Sequence, residues 1–149
     1  MKYFQLKPEK QVEKEVLDWL LQNGFSVDVY DSKAIFSETA QRYKKSKAMK
    51  EGTSDLLGVS PQGFFVALEL KAPKKEATCT LDQRNFLQDK IEKNGFGLLV
   101  SSVSSLQETW SSWIELRNQG KINEAREFIK SKLPSRITIE NRIVAIGPS

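Results

Sequence analysis

The chain contains no histidine and only one cysteine, Cys79. The lack of histidine excludes Ser-His-Asp and Cys-His catalysis, zinc hydrolases with histidine ligands, and nucleases that place a histidine beside a metal ion. Cys79 has no second cysteine for an internal disulfide or a zinc site, so we expect a small, half-buried side chain. Any hydrolytic chemistry must therefore use carboxylates, lysine and metal-activated water.

Long apolar runs are also missing, and no stretch approaches the length of a membrane span. The first ten residues lack the apolar core and small-residue cleavage site of a secretory signal. We therefore expect a cytoplasmic protein with no membrane partner. A chain of 149 residues, 39% hydrophobic and 28% charged, is typical of one globular domain over residues 1–149.

Hydrophobic spacing predicts an α/β fold that begins with helix, three antiparallel strands, helix and strand. Helices are predicted over residues 8–23, between Thr80 and Asn94, and over 104–118 and 121–132. Strands are predicted over 25–30, 55–59, 64–71 and 97–100, with two short strands within 136–146. We expect Ile35 and Phe36 to extend a ragged edge after the first strand, Trp110 and Trp113 to lie in the core, and strand 97–100 to run parallel to strand 64–71.

An apolar run that begins at Phe64 ends in Glu69-Leu70-Lys71 and is too apolar for a surface loop. Because side chains alternate along a strand, Glu69 and Lys71 are expected to point the same way. Asp55 stands at the head of the preceding strand. Two carboxylates beside an ammonium can hold a divalent cation and a phosphate together. The alternative is a solvated Glu–Lys pair on an edge strand, worth only about 0–1 kcal/mol.

The net charge of +4 is unevenly distributed along the sequence. Residues 41–50 contain no acid and five basic side chains, Arg42, Lys44, Lys45, Lys47 and Lys50. Lys74 and Lys75 form a second cluster soon after Lys71. We expect these residues to contact the phosphate backbone of DNA, and the 41–50 run to be a loop or short helix. The alternative for the run is a solvated loop without a ligand.

The order of elements, with Asp followed by Glu-x-Lys, resembles the core of the PD-(D/E)XK nuclease superfamily. Within it, the chain is most similar to the VRR-NUC family of small phage-type nucleases. That family has a glutamate in its first helix, G-x-P-D, a strand ending in E-x-K and a glutamine that opens a helix. The matching residues here are Gly52-Thr53-Ser54-Asp55, Glu69-Leu70-Lys71 and Gln83.

The likeness covers about residues 8–112 and implies a restriction-endonuclease-like αβββαβ core with a mixed central sheet flanked by helices. We place this core at about 8–116 and a C-terminal helical and β-hairpin extension, without a counterpart, at about 117–149. Ser54 replaces the usual proline, which should loosen the turn before Asp55 without removing a ligand.

The resemblance implies that Asp55 and Glu69 bind Mg²⁺ or Mn²⁺, that the carbonyl of Leu70 is a further ligand, and that Lys71 positions or activates water. Hard cations do prefer carboxylate oxygens, and Mg²⁺ keeps several waters, one of which can serve as nucleophile. Gln83 is implied at the catalytic site, and it is also the N3 residue of a capping box. Both roles can hold together.

A glutamate of the first helix is the remaining site residue that the resemblance implies. At about 100° per residue, Glu9 falls within about 20° of Val16 on the core-facing stripe, whereas Glu13 lies about 60° to one side. We choose Glu9 as catalytic residue and metal ligand, with Glu13 in reserve. The alternative for Glu9 is a carboxylate that stabilises the N-terminus of its helix through the dipole.

The function expected from the resemblance is a Mg²⁺-dependent endodeoxyribonuclease. VRR-NUC relatives of this size look like homodimers that act on branched DNA such as four-way junctions, so a homodimer is expected. The alternatives are a phage nickase, a replication-associated nuclease without junction preference, and a nucleic-acid-binding module without activity. A purely structural role would leave the basic clusters unexplained.

Overall fold

The computed structural model describes residues 8–30, 35–37, 42–44, 52, 54–73 and 78–146. In chain order, the helices and strands in these ranges are α1 (Pro8–Gln22), β1 (Ser26–Val29), β2 (Ile35–Ser37), β3 (Arg42–Lys44), β4 (Leu56–Val59), β5 (Phe65–Leu70), β6 (Thr78–Thr80), α2 (Leu81–Glu92), β7 (Phe96–Val100), α3 (Val103–Asn118), α4 (Ile122–Lys130), β8 (Arg136–Ile139) and β9 (Arg142–Ala145). The protein is therefore of the α/β class, as the sequence predicted.

The central sheet has four strands in the order β1-β4-β5-β7. Strands β1, β4 and β5 pair antiparallel, and β7 pairs parallel to β5. Each residue from Val66 to Leu70 is buried, so both faces of β5 are covered. The predicted helix, three antiparallel strands, helix and parallel strand are confirmed.

Helices cover the sheet by burying one apolar stripe each. In α1 the buried stripe is Val12, Val16 and Leu20, at the predicted helical spacing. In α3, Trp110 and Trp113 both stack edge-on against Phe96 of β7, with ring centroids 5.0 and 5.3 Å away. The prediction that these tryptophans belong to the core is confirmed.

A second sheet, in the order β6-β8-β9, joins the C-terminal segment to the helix that follows β6. Strand β6 pairs parallel to β8, and β8 pairs antiparallel to β9. Glu140 and Asn141 form the turn between β8 and β9, with positive φ values of 48° and 63°. Cys79, in β6, is only 2% exposed and is thus fully buried rather than half-buried.

Two predictions for the region before Asp55 are wrong. Arg42–Lys44 forms strand β3 rather than part of a loop or short helix, and Ile35 and Phe36 belong to β2, which pairs with β3 instead of extending β1. Tyr43 lies opposite Phe36 in this pair of strands. Aromatic residues favour strands. The lysines around Tyr43 instead suggested a polar loop. Lys45, Lys47, Lys50, Lys74 and Lys75 lie outside the described residues.

Within the ranges that the structure describes, none of the helices combines the length and apolar character needed to cross a bilayer.

Candidate active site

Asp55 and Glu69 are brought together by the pairing of β4 with β5. The register places Leu56 opposite Leu68, so Asp55, immediately before β4, lies beside Glu69. The backbone N–H of Leu70 donates to Oδ2 of Asp55 at 2.8 Å. Glu69 is only 5% exposed, although it is a carboxylate. The antiparallel pairing therefore places the acidic side chains of Asp55 and Glu69 next to each other.

The buried position and mutual proximity of these carboxyl groups change their protonation. Burial raises the pKa of Glu69 to about 8, with a further increase from the charge of Asp55 and a decrease from Lys71. Burial also raises the pKa of Asp55, against the lowering effect of the Leu70 amide. Because two adjacent carboxylates repel each other, the pair retains a proton near neutral pH when no cation is present. A divalent cation would remove that repulsion.

Gln83 connects Glu69 to Lys71. Its side-chain Nε2 donates to Oε1 of Glu69 at 2.7 Å, and its Oε1 accepts from Nζ of Lys71 at 3.2 Å. The same Oε1 accepts from the backbone N–H of Thr80, whose hydroxyl accepts from the Gln83 backbone N–H. The capping box is therefore present, and its N3 residue also contacts both members of the Glu-x-Lys motif.

The second carboxylate oxygen of Glu69 provides a test of whether a metal ion fits here. Oε2 is buried and has no hydrogen bond of good geometry among the described residues, although the Glu69 carboxyl group interacts closely with Asp55. A buried, unpaired carboxylate oxygen is costly unless it coordinates or is protonated. Asp55 adds further hard oxygen atoms next to it. This donor set fits Mg²⁺ or Mn²⁺, which prefer oxygen ligands.

Glu9 lies near this pair but does not complete a group of three carboxylates. Its charge contributes to the raised pKa of Asp55, and its side chain is exposed rather than part of the buried stripe. Glu13 forms an ion pair with Lys10, at 3.1 Å. Among the described residues, no three His, Cys, Asp or Glu side chains are close enough to hold a metal ion. The helix-1 glutamate as a ligand therefore stays a prediction.

The structure brings together Asp55, Glu69, Lys71 and Gln83 as the sequence predicted. For Leu70 it shows the amide donating to Asp55, while the role of its carbonyl stays a prediction. Of the predicted DNA contacts, Arg42 and Lys44 lie in β3, whose backbone alone is described. Their contact with DNA likewise stays a prediction.

Two further residues shape the site without being candidates from sequence. Ser54, next to Asp55, is completely buried, and its hydroxyl has no hydrogen-bond partner among the described residues. Gly52 has a φ of +79°, and a Cβ on it would lie 2.3 Å from the backbone C and O atoms of Asp82. The segment leading to Asp55 thus packs directly on the first turn of α2, which carries Gln83. In the sequence, the Gly-x-x-Asp pattern was the signal from which the importance of Gly52 and Ser54 could have been inferred.

Searches against protein-family models, curated proteins and solved structures found no match.

Proposed function

We propose that the protein is a Mg²⁺- or Mn²⁺-dependent DNA endonuclease that hydrolyses phosphodiester bonds. The observation that carries the proposal is the buried Asp55–Glu69 pair, with an unpartnered Glu69 oxygen and with Lys71 joined to Glu69 through Gln83. A solvated surface pair would not place Glu69 at 5% exposure with a pKa raised to about 8. The alternative in which Glu69 and Lys71 form a solvated ion pair on an edge strand is therefore not supported.

The residues have distinct roles in this proposal. Asp55 and Glu69 would hold the cation, with the Leu70 carbonyl and Glu9 as additional candidate ligands. When bound, the cation supplies Lewis acidity and lowers the pKa of water. Lys71 would bind a phosphate oxygen and stabilise the charge that develops there, because its ammonium is fixed by Gln83 beside the carboxylates. Gln83 keeps Glu69 and Lys71 oriented.

The fold supports an assignment to the restriction-endonuclease-like architecture of the PD-(D/E)XK superfamily, and to its VRR-NUC family in particular. Helix α1, strands β1, β4 and β5, helix α2 and strand β7 follow one another in the αβββαβ order, interrupted by the β2–β3 hairpin and β6. The two carboxylates and the lysine come from the residue before β4, from β5 and from the residue after β5. We regard the C-terminal segment as an addition to this core.

The finer parts of the proposal rest on the resemblance alone. They are a homodimer that acts on four-way junctions or other branched DNA, and a site of action in a phage-infected bacterium. Twofold symmetry would suit a junction with two symmetric scissile strands. A nickase, a replication-associated nuclease without junction preference and an inactive binding module are the outcomes to be distinguished.

Plasmid cleavage with and without Mg²⁺ tests the proposed activity. The parent protein should convert supercoiled DNA to nicked or linear products only with Mg²⁺ or Mn²⁺, and Asp55→Asn and Glu69→Gln should each abolish cleavage while retaining DNA binding. Asp28→Asn is the matched control, since Asp28 is an exposed carboxylate on the edge strand of the same sheet. Cleavage by Asp55→Asn at the parental rate would refute the site.

A panel of linear, nicked, flapped and four-way DNA substrates then separates the finer alternatives. Preference for the four-way substrate supports junction resolution, and equal rates support a general nuclease. DNA binding without cleavage on any substrate in Mg²⁺ or Mn²⁺ would identify an inactive binding module.

A further inference from the structure

The C-terminal segment has an excess of positive charge. Residues 121–149 contain six Lys and Arg and three Glu, a net charge of +3. The six basic residues are Lys121, Arg126, Lys130, Lys132, Arg136 and Arg142. Such an excess of positive charge is expected on a surface that contacts a polyanion.

The β6-β8-β9 sheet presents one of its faces away from the core. Directly paired residues share a face, and successive residues of a strand alternate. Cys79 and Ile137 are paired and buried, so the other face is the outward one. We call this outward surface the open face, and its residues are Thr78, Thr80, Arg136, Thr138, Ile143 and Ala145.

The chemistry of the open face suits a phosphate backbone. Arg136 is exposed, and Ile143 is 61% exposed. Three threonine hydroxyls surround them, and none of the six residues is acidic. Arginine and threonine side chains supply a large share of the hydrogen bonds that proteins make to DNA phosphates. Residues two apart along a strand are separated by about 6.6 Å, so Arg136 and Thr138 form a row of donors along the face.

One end of the open face adjoins the candidate active site. Thr80, the last residue of β6, accepts a hydrogen bond from the backbone N–H of Gln83 and donates its own to the Gln83 side chain. Gln83 in turn contacts Glu69 and Lys71. A nucleic-acid strand lying on the face would therefore pass next to the residues proposed to cut it.

The sheet is held firmly to the helix that bears Gln83. Nε of Arg84 in α2 donates to the carbonyl of Pro134, which lies two residues before β8, at 3.0 Å. Strand β6, which leads into α2, is paired to β8. The open face thus keeps a fixed position relative to the site.

We propose that the open face binds the nucleic-acid backbone beside the scissile phosphate, with Arg136 as its principal phosphate contact. The inference rests on the proposed nuclease function and assigns a role to a segment that the family resemblance left without one. It extends the binding surface beyond the basic residues 42–50 and 74–75. Arg142 is the natural comparison, because it lies opposite Ile139 and therefore on the other face of the same hairpin.

The first experiment compares Arg136→Gln with Arg142→Gln. DNA affinity is measured over a range of salt concentrations with Ca²⁺ in place of Mg²⁺ to prevent cutting. Arg136→Gln should weaken binding severalfold and reduce the slope of log affinity against log salt by about 0.9 on duplex DNA. Arg142→Gln should reduce the slope by less than half as much. Equal slopes for both variants, changed or unchanged, would overturn the proposal.

The second experiment uses neighbouring positions on β9 that face opposite ways. Ile143→Cys and Val144→Cys are each mixed with DNA that carries a disulfide-activated tether on one phosphate. Both positions are exposed, at 61% and 41%, whereas the native Cys79 is buried. Ile143→Cys should cross-link to DNA much faster than Val144→Cys. Equal rates, or Ile143→Cys protein that instead forms disulfide dimers, would refute the open face as a DNA surface.

Failure of this inference can be told apart from failure of the proposed function. If the parent protein cuts plasmid in Mg²⁺ but the paired variants behave alike, the nuclease stands and the open face does not. If the parent neither binds nor cuts DNA, the nuclease proposal itself fails, and the open face fails with it.

Discussion

Gln83 donates a 2.7 Å hydrogen bond from Nε2 to Oε1 of Glu69 while its backbone N–H closes the cap of α2. The orientation of the buried carboxylate therefore depends on the first turn of a helix. The amide cannot rotate freely, because its Oε1 also accepts from the Thr80 backbone N–H. Site geometry and helix start are determined by the same side chain.

Gln83→Ala should lower the cleavage rate by about 10- to 100-fold, as is usual when a residue that orients a metal ligand is removed. It should also cost about 0.5–1 kcal/mol of stability through the cap. Thr80→Ala is the matched control, since it removes the cap hydroxyl and retains the Gln83 side chain. Single-turnover rates at saturating DNA, which exclude a loss of DNA binding through Thr80, and urea midpoints are measured for both. If both variants lose the same activity, Gln83 acts only through the helix cap.

The pKa of Glu69 predicts a pH-dependent stability in cation-free buffer. The folded protein holds this proton up to a pKa of about 8, whereas the ordinary value is 4.5. Between pH 4.5 and about 8 the folded state therefore binds more protons than the unfolded state. The free energy of unfolding is consequently greatest near pH 4.5 and falls as the pH rises towards 8. The slope for one proton is at most about 1.4 kcal/mol per pH unit.

The sequence makes this titration easy to isolate, because the chain contains no histidine. Urea unfolding in EDTA from pH 5 to 8 should show the fall for the parent and a much flatter profile for Glu69→Gln. Adding Mg²⁺ should restore the parent's stability at pH 8, because the cation favours the ionised pair. A parent profile as flat as that of Glu69→Gln would contradict the buried position of this carboxyl group.

Lys71→Ala should reduce the cleavage rate far more than DNA affinity. One ammonium among many changes the total attraction to phosphates only slightly, but Lys71 is the one lysine among the described residues that is joined to Glu69 through Gln83. Lys71→Arg should rescue poorly, since the guanidinium is larger and its donors form a rigid fork. Single-turnover rates and affinities in Ca²⁺ separate the two effects. Loss confined to affinity would make Lys71 a phosphate clamp.

The strands that carry the site were predictable because each has a strong local signal. The run from Phe64 to Lys71 is apolar enough to specify a buried strand. Because charged residues are unusual in such a strand, Glu69 and Lys71 indicated a functional site. Strand β6 was not predicted, because its three residues show no hydrophobic periodicity. It is stabilised by pairing with β8, more than fifty residues later in the chain. Such tertiary contacts override local propensity. Glu9 is exposed in the first turn of α1, yet its charge acts on Asp55. That proximity depends on how α1 packs on the sheet, which helical angles alone do not give.

Ser54→Ala should stabilise the protein or leave its stability unchanged. The Ser54 hydroxyl is fully buried without a partner among the described residues, so its removal relieves a desolvation cost of about 1–3 kcal/mol, less the small cavity left behind. Cleavage should be unaffected, because Asp55 keeps its bond from the Leu70 amide. Thermal unfolding compares the parent with Ser54→Ala. A loss above about 1 kcal/mol would mean that the hydroxyl has a partner after all.

Gly52→Ala should nearly abolish cleavage. Gly52 has a φ of +79°, and the added Cβ would meet the backbone of Asp82 at 2.3 Å, so either the segment leading to Asp55 or the first turn of α2 must move. A displacement of about 1 Å between catalytic groups costs roughly 100-fold in rate.

Gly63→Ala separates this clash from the strain of a positive φ. Gly63 has a similar φ of +89°, but no atom of the residues that the structure describes lies within 4 Å of its Cβ position. Both variants carry the left-handed penalty of about 1–2 kcal/mol, and only Gly52→Ala carries the collision with α2. We expect Gly63→Ala to melt at a lower temperature while retaining its cleavage rate at 25 °C. If the two variants lose activity equally, the contact between residue 52 and α2 does not position Asp55, and general loss of stability accounts for both.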